Sequence, residues 1–69
     1  MKVIVNEKER EKWKDSIWTT DDLLEGKIYE VVEVKIKGGK YPFYSVLDES
    51  GEIYSYSSAL FDIVESDNP

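Results

Sequence analysis

Apolar and polar residues alternate most clearly in the middle of the chain, and this pattern predicts a β-strand. Val32, Val34 and Ile36 alternate with charged residues. A period of two is typical of a strand with one buried and one solvated face, so we expect these three side chains to be buried. Tyr29 and Val31 fall on the opposite parity. This change of parity predicts a bulge or sharp bend near Glu30 or Val31.

Shorter apolar runs separated by turn signals predict four further strands. The five predicted strands are Lys2–Val5 and residues 27–37, 41–47, 52–56 and 61–64. Glycines at 38, 39 and 51 mark tight turns between them. Residues 57–60 break the alternation and predict a single helical turn. Five short strands in so small a chain predict an all-β barrel, because closure removes exposed sheet edges.

A short helix is predicted between the first two strands, over residues 7–15. Asn6 is a good N-cap residue, and Glu9 stands where a capping box would place its acidic partner. The predicted helix has few apolar groups, so it is not stable alone. We expect Trp13, Trp18 or both to dock it onto the strands.

The order of these features is distinctive. The stretch GKIYEVVEV is followed by the turn DESG and then by the segment YSSALFDI. This order resembles that of Src-homology-3 barrels, and also that of short uncharacterised barrel proteins of bacteria and their phages. The resemblance covers about two-thirds of the chain. It implies a five-stranded Src-homology-3-like barrel in which residues 6–22 fill the long first loop, here with a short helix.

The peptide-binding residues of that family are replaced in this chain. Residues 41–44, with the sequence YPFY, stand where tandem tryptophans are expected, Ser57 stands at the groove proline, and Leu60 at the groove tyrosine. The resemblance therefore implies the fold and not the recognition of proline-rich helices.

Chain length predicts a single domain. The chain has 69 residues and a mass of 8.0 kDa, which is enough for one hydrophobic core. We expect residues 1–65 to form one small barrel domain and residues 66–69 to form a polar C-terminal tail.

Composition excludes several classes of function. The chain has no cysteine and no histidine, so the common zinc, iron and copper sites and the Ser–His and Cys–His nucleophile pairs are excluded. We therefore expect no catalysis, no cofactor and no metal. The apolar runs are too short to span a membrane, and no signal-peptide pattern is present, so the sequence predicts a cytoplasmic protein. A net charge of −6 argues against binding driven by nucleic-acid phosphates or anionic membranes.

Aromatic residues are the leading candidates for a binding surface. The interpretation that follows is a non-enzymatic protein–protein interaction module whose partner is unknown and is expected to be basic. The chain itself is expected to be a monomer or a weak homodimer. The candidate partner-binding residues are Tyr41, Tyr44, Tyr54, Tyr56 and Trp18.

A cluster of lysines supports an alternative function. Lys35, Lys37 and Lys40 surround two glycines, next to the aromatic Tyr41. Some small barrels place nucleic acid against such a loop, so the alternative is a nucleic-acid-associated accessory domain. The acidic residues at 21–22 and 48–52 do not follow a calcium-binding pattern, and we interpret both segments as solvated turns.

Overall fold

The computed structural model describes residues 1–14, 20–36 and 38–66 and arranges them as one antiparallel sheet with one short α-helix. The elements are β1 (Lys2–Val5), α1 (Glu7–Trp13), β2 (Ile28–Lys35), β3 (Phe43–Leu47), β4 (Ile53–Ser57), a 3₁₀ turn (Ser58–Leu60) and β5 (Phe61–Glu65). These bounds confirm the predicted all-β class, the short first helix and the single helical turn before the last strand.

The sheet is open. Its strand order is β4-β3-β2-β1-β5, so β4 and β5 are the two end strands. Within the described ranges these two strands do not pair with each other, and the predicted closure into a barrel is not seen. The first half of β2 pairs with β1, and the second half pairs with β3.

Helix α1 begins as the sequence predicts but ends earlier. The Asn6 side chain accepts hydrogen bonds from the backbone amides of Lys8 and Glu9, which confirms its role as N-cap. Glu9 does not complete a capping box, because the Asn6 backbone amide donates to the Leu60 carbonyl instead. The half-buried Trp13 packs against the core and docks the helix. Among the described residues, no helix has the length and apolar character needed to cross a bilayer.

The core lies between the two halves of the sheet and is small. Val3 and Val46 are fully buried and Tyr29 is 3% exposed. The buried apolar residues are Val3, Val5, Leu23, Tyr29, Tyr44, Val46, Leu60 and Phe61. The β2–β3 pairing shifts register between Val31 and Glu33, next to the predicted irregularity near Glu30 or Val31.

The predicted burial of Val32, Val34 and Ile36 is wrong. These side chains are 55%, 45% and 77% exposed, respectively. The reason lies in how β2 is paired. Its partner β1 extends only along residues 28–30, so the second half of β2 has a neighbouring strand on one side only. Alternation in the sequence predicts a strand with one apolar and one polar face. It does not predict which part of that strand is covered by the core.

Residues 20–27 form hydrogen bonds with the turn between β3 and β4. The Glu49 backbone amide donates to the carbonyl of Asp22 at 2.8 Å. The buried Tyr29 hydroxyl accepts from the Leu24 amide at 2.7 Å and donates to the Glu49 carboxylate at 3.0 Å. Lys27 donates to that same carboxylate at 2.6 Å. The connection before β2 is therefore held by side chains as well as by backbone.

Tyr29→Phe is expected to destabilise the protein by about 1–2 kcal/mol, because it leaves the Leu24 amide without its acceptor. Urea denaturation measures this change through the free energy of unfolding. Tyr54→Phe is the matched control, since the Tyr54 hydroxyl donates to Glu52 at the exposed surface. Its unfolding midpoint should equal that of the wild type, and equal losses in the two variants would contradict this role of Tyr29.

Candidate interaction site

The four predicted tyrosines do not form one surface patch. Tyr44 is 8% exposed and belongs to the core, and Tyr56 is half-buried against it. Tyr41 and Tyr54 are 48% and 50% exposed. Tyr54 lies opposite Val46 near one end of the β3–β4 ladder, whereas Tyr41 precedes β3 at the other end. The two exposed tyrosines are therefore separated by the length of the ladder.

Register explains why Tyr44 and Tyr56 turn inward. They are directly opposed across β3 and β4, so their side chains lie on the same face of the sheet. Both rings lie 6.2 Å, centroid to centroid, from the ring of Phe61 on β5. The Tyr56–Phe61 contact is edge-on, an arrangement that aromatic quadrupoles favour.

Asp48 is a buried carboxylate, and the prediction that residues 48–52 form a simple solvated turn is wrong for this residue. It is 4% exposed and accepts hydrogen bonds from the Tyr56 hydroxyl at 2.6 Å and from the amide and hydroxyl of Ser50. Burial alone raises the pKa of Asp48, but these hydrogen bonds outweigh it and hold the pKa below its usual value. Burial and then the bond to Asp48 raise the pKa of Tyr56.

An apolar cavity lies between α1, the start of β3 and the 3₁₀ turn. Its volume is about 140 Å³, and its lining residues are Trp13, Thr20, Phe43, Tyr56, Ser57 and Leu60. Cavities of about 150 Å³ lined by apolar side chains bind benzene, so this one has room for a single large apolar side chain. Among its described lining residues, none carries a carboxylate, ammonium or guanidinium group.

Local structure brings the cavity walls together. The Asn6 amide donates to the Leu60 carbonyl at 2.8 Å, which sets the start of α1 against the 3₁₀ turn. The Ser57 side chain caps that turn by accepting from the Ala59 amide. Phe43 lies opposite Ser57 in the β3–β4 ladder. Each wall is thus held by a hydrogen bond or by strand pairing.

A second, more polar cavity lies beside β4. Its volume is about 300 Å³, and it is lined by Asp22, Ser50, Tyr54, Ser55 and Tyr56. Tyr56 contributes to the lining of both cavities, and its hydroxyl donates to Asp48.

Of the remaining predicted site residues, two are described and two lie outside the described residues. Lys35 is 3.7 Å from a carboxylate oxygen of Glu33, and Lys40 lies 5.6 Å from the centroid of the Tyr41 ring. Trp18 and Lys37 are outside the described residues, and their predicted roles stay predictions. In the part of the chain that the structure describes, no group of three or more acidic side chains is arranged to hold a metal ion.

Sequence reasoning misses the apolar cavity because its walls come from distant segments. The sequence predicts only that Trp13 docks the helix, and it marks Phe43 and Leu60 only as replacements for groove residues of the resembled family. No periodicity in the sequence links these three positions. Comparisons with protein-family models, curated proteins and solved structures find no match.

Proposed function

We propose that this chain is a non-enzymatic protein–protein interaction module, built on a Src-homology-3-like barrel, whose apolar cavity receives one large apolar side chain of a partner protein. The observation that carries the proposal is the cavity of about 140 Å³ between Trp13, Phe43 and Leu60. Concave apolar sites with a few polar groups at the rim are the usual form of such anchor pockets.

The order of elements supports the barrel architecture. A long connection carrying a helix joins the first two strands, a tight turn joins β3 and β4, and a single 3₁₀ turn precedes β5. The strand order β4-β3-β2-β1-β5 puts the first and last strands side by side. These features agree with the resemblance noted in the sequence.

The chemistry of the cavity favours binding over catalysis. Three described residues with hydroxyl groups line it, and two of these groups are engaged elsewhere, since Tyr56 donates to Asp48 and Ser57 accepts from Ala59. A catalytic site needs an available acid, base or nucleophile close to the substrate. Burial of a leucine or aromatic side chain supplies about 1.5–3 kcal/mol, which adds to the affinity of a larger interface.

Selection of peptides from a random display library tests this proposal and does not require the partner to be identified. The wild-type protein should enrich peptides that share one large apolar residue. Phe43→Ala, which removes a wall of the cavity, should weaken the selected peptides by about 10-fold or more. Leu47→Ala is the matched control, because Leu47 is 57% exposed on the same strand and does not line the cavity.

Two outcomes would contradict the proposal. One is equal binding by the Phe43→Ala and Leu47→Ala variants, with both shown to be folded by their thermal unfolding. The other is enrichment of sequences from a parallel pool of random oligonucleotides, with loss of binding in Lys40→Ala and a steep dependence on salt. That second result would favour the nucleic-acid alternative.

A further inference from the structure

The outer edge of β4 has backbone groups that no described strand pairs. The Asp48 amide donates to the Glu52 carbonyl, and the Ser58 amide donates to the Pro42 carbonyl. Hydrogen-bonded pairs alternate along an antiparallel ladder. By this alternation the backbone N–H and C=O groups of Tyr54 and Tyr56 form hydrogen bonds with β3. The backbone N–H and C=O of Ser55 point away from β3, toward the outer edge of the sheet.

The polar cavity lies beside this same strand. Three consecutive β4 residues, Tyr54, Ser55 and Tyr56, contribute to its lining. The cavity therefore runs along β4, whose outer edge no described strand pairs, and we call it the β4 groove.

The β4 groove is suited to a cation. Among the described residues, the Asp22 carboxylate has neither a hydrogen bond nor an ion pair, and no lysine or arginine lines the groove. The Tyr54 hydroxyl donates to Glu52 at 2.8 Å, and the side chain stays 50% exposed, so its ring is accessible. An arginine guanidinium pairs with a carboxylate and stacks on an aromatic face at the same time.

The charge of Asp22 acts on the two tyrosines that line the groove with it. The pKa of Tyr54 is raised mainly by its hydrogen bond to Glu52, and that of Tyr56 mainly by burial and then by Asp48. The charge of Asp22 raises both pKa values further. Asp22, Tyr54 and Tyr56 line the same groove, so one ligand there can contact all three residues.

We propose that the β4 groove binds an extended, arginine-bearing segment of a partner protein, which adds to the sheet beside β4. The segment's backbone would pair with the outward N–H and C=O of Ser55, and its guanidinium would contact Asp22 and the Tyr54 ring. Strand addition of this kind takes affinity from main-chain hydrogen bonds and specificity from side-chain pockets.

A second copy of this chain is a poorer occupant. Its exposed end strands are β4, which contains no charged residue, and β5, which contains Asp62 and Glu65 and no basic residue. Neither strand supplies a cation to Asp22, and each copy carries a net charge of −6. Charge complementarity therefore favours a basic partner. The β4 groove is a different surface from the apolar cavity, although Tyr56 contributes to the lining of both.

The probe for the test is the peptide acetyl-Thr-Val-Arg-Val-Thr-amide, titrated into the isotopically labelled protein and followed by amide chemical shifts. Its control is the same peptide with glutamate in place of arginine. We expect the arginine peptide to bind at least ~5-fold more tightly, with the largest shifts at Ser55 and its neighbours, and to weaken as sodium chloride is raised.

Two pairs of variants locate the interaction. Asp22→Asn should weaken the arginine peptide by about 3–10-fold, whereas Asp21→Asn, which makes the same change of charge one residue away, should weaken it less than ~2-fold. Ile53→Pro removes an outward N–H at the first residue of an edge strand, where proline is tolerated, and should weaken binding of the peptide backbone. Phe43→Ala should leave the affinity unchanged.

Equal affinity of the arginine and glutamate peptides would overturn the proposal, and so would equal effects of Asp21→Asn and Asp22→Asn. Because Phe43→Ala tests the apolar cavity separately, failure of one site is distinguishable from failure of the other. Asp22→Asn preserves the shape of the side chain and leaves its backbone carbonyl, which accepts from Glu49, in place. A loss of binding in this variant therefore reports on the carboxylate.

Discussion

Leu23→Ala is expected to destabilise the protein by about 2–5 kcal/mol, the largest effect of the substitutions proposed. Leu23 is 1% exposed and belongs to the core cluster, whereas the adjacent Leu24 is 50% exposed. Domains of this size have only about 3–5 kcal/mol of stability from one core. A substantial fraction of the Leu23→Ala variant should therefore be unfolded at room temperature.

Leu24→Ala is the matched control for this prediction, since it removes the same atoms one residue along the chain. Its unfolding midpoint in urea should lie close to that of the wild type. If the two variants lose the same stability, Leu23 does not anchor residues 20–27 to the core. The sequence alone does not distinguish these two leucines, because the segment between α1 and β2 has no regular period.

Asp48→Asn is expected to cost about 2–3 kcal/mol at pH 7, because hydrogen bonds to a buried charged group contribute more than neutral ones. The substituted amide can still accept from Ser50, but its nitrogen is a donor facing the Tyr56 hydroxyl. Thermal and urea unfolding measure the loss. A change of less than about 0.5 kcal/mol, typical of exposed positions, would contradict the buried placement of this carboxylate.

Asp48→Asn is also expected to change how the stability of the protein depends on acidic pH. The pKa values of Asp48 and Glu49 are held below their usual values, Asp48 because hydrogen bonds from Ser50 and Tyr56 outweigh its burial, and Glu49 by hydrogen bonds from Lys27 and Tyr29. A carboxylate with a lowered pKa stabilises the folded state above its ordinary pKa of about 4 and loses that contribution as the pH falls through the lowered value.

Stability of the wild type should therefore be constant between about pH 5 and 7 and fall progressively below pH 4. In Asp48→Asn the decline below pH 4 should be shallower, with the part due to Glu49 remaining. Urea midpoints at a series of pH values from 7 to 2.5 measure both slopes. Identical slopes in the two proteins would show that Asp48 does not contribute to the acid sensitivity.

Local signals in the sequence predict most of the fold. The first strand has the predicted bounds, the N-cap Asn6 begins α1, and the single helical turn precedes β5. These features depend on neighbouring residues, namely β-branched runs, capping side chains and glycine turns. The five-stranded antiparallel sheet follows from counting such segments.

Features that depend on distant contacts are not predictable in the same way. The burial of Asp48 depends on Tyr56 arriving from the next strand, and the exposure of Val34 depends on where β1 stops pairing with β2. Tyr44 is a surface candidate from the sequence and a core residue in the fold. Strand register decides which face of the sheet an aromatic side chain occupies, and the sequence does not determine that register. The cavities assemble from separate elements and have no signature in the sequence.

Binding of benzene to the protein tests the central claim most directly, because it asks whether the cavity accepts an apolar group without requiring the partner. We expect saturable chemical-shift changes at Thr20, Phe43 and Leu60, with a dissociation constant on the order of 1 mM. Phe43→Ala should reduce them, and Leu47→Ala should not. Shifts that do not saturate, or that centre on exposed residues such as Ile53, would contradict the claim that this cavity is a binding site.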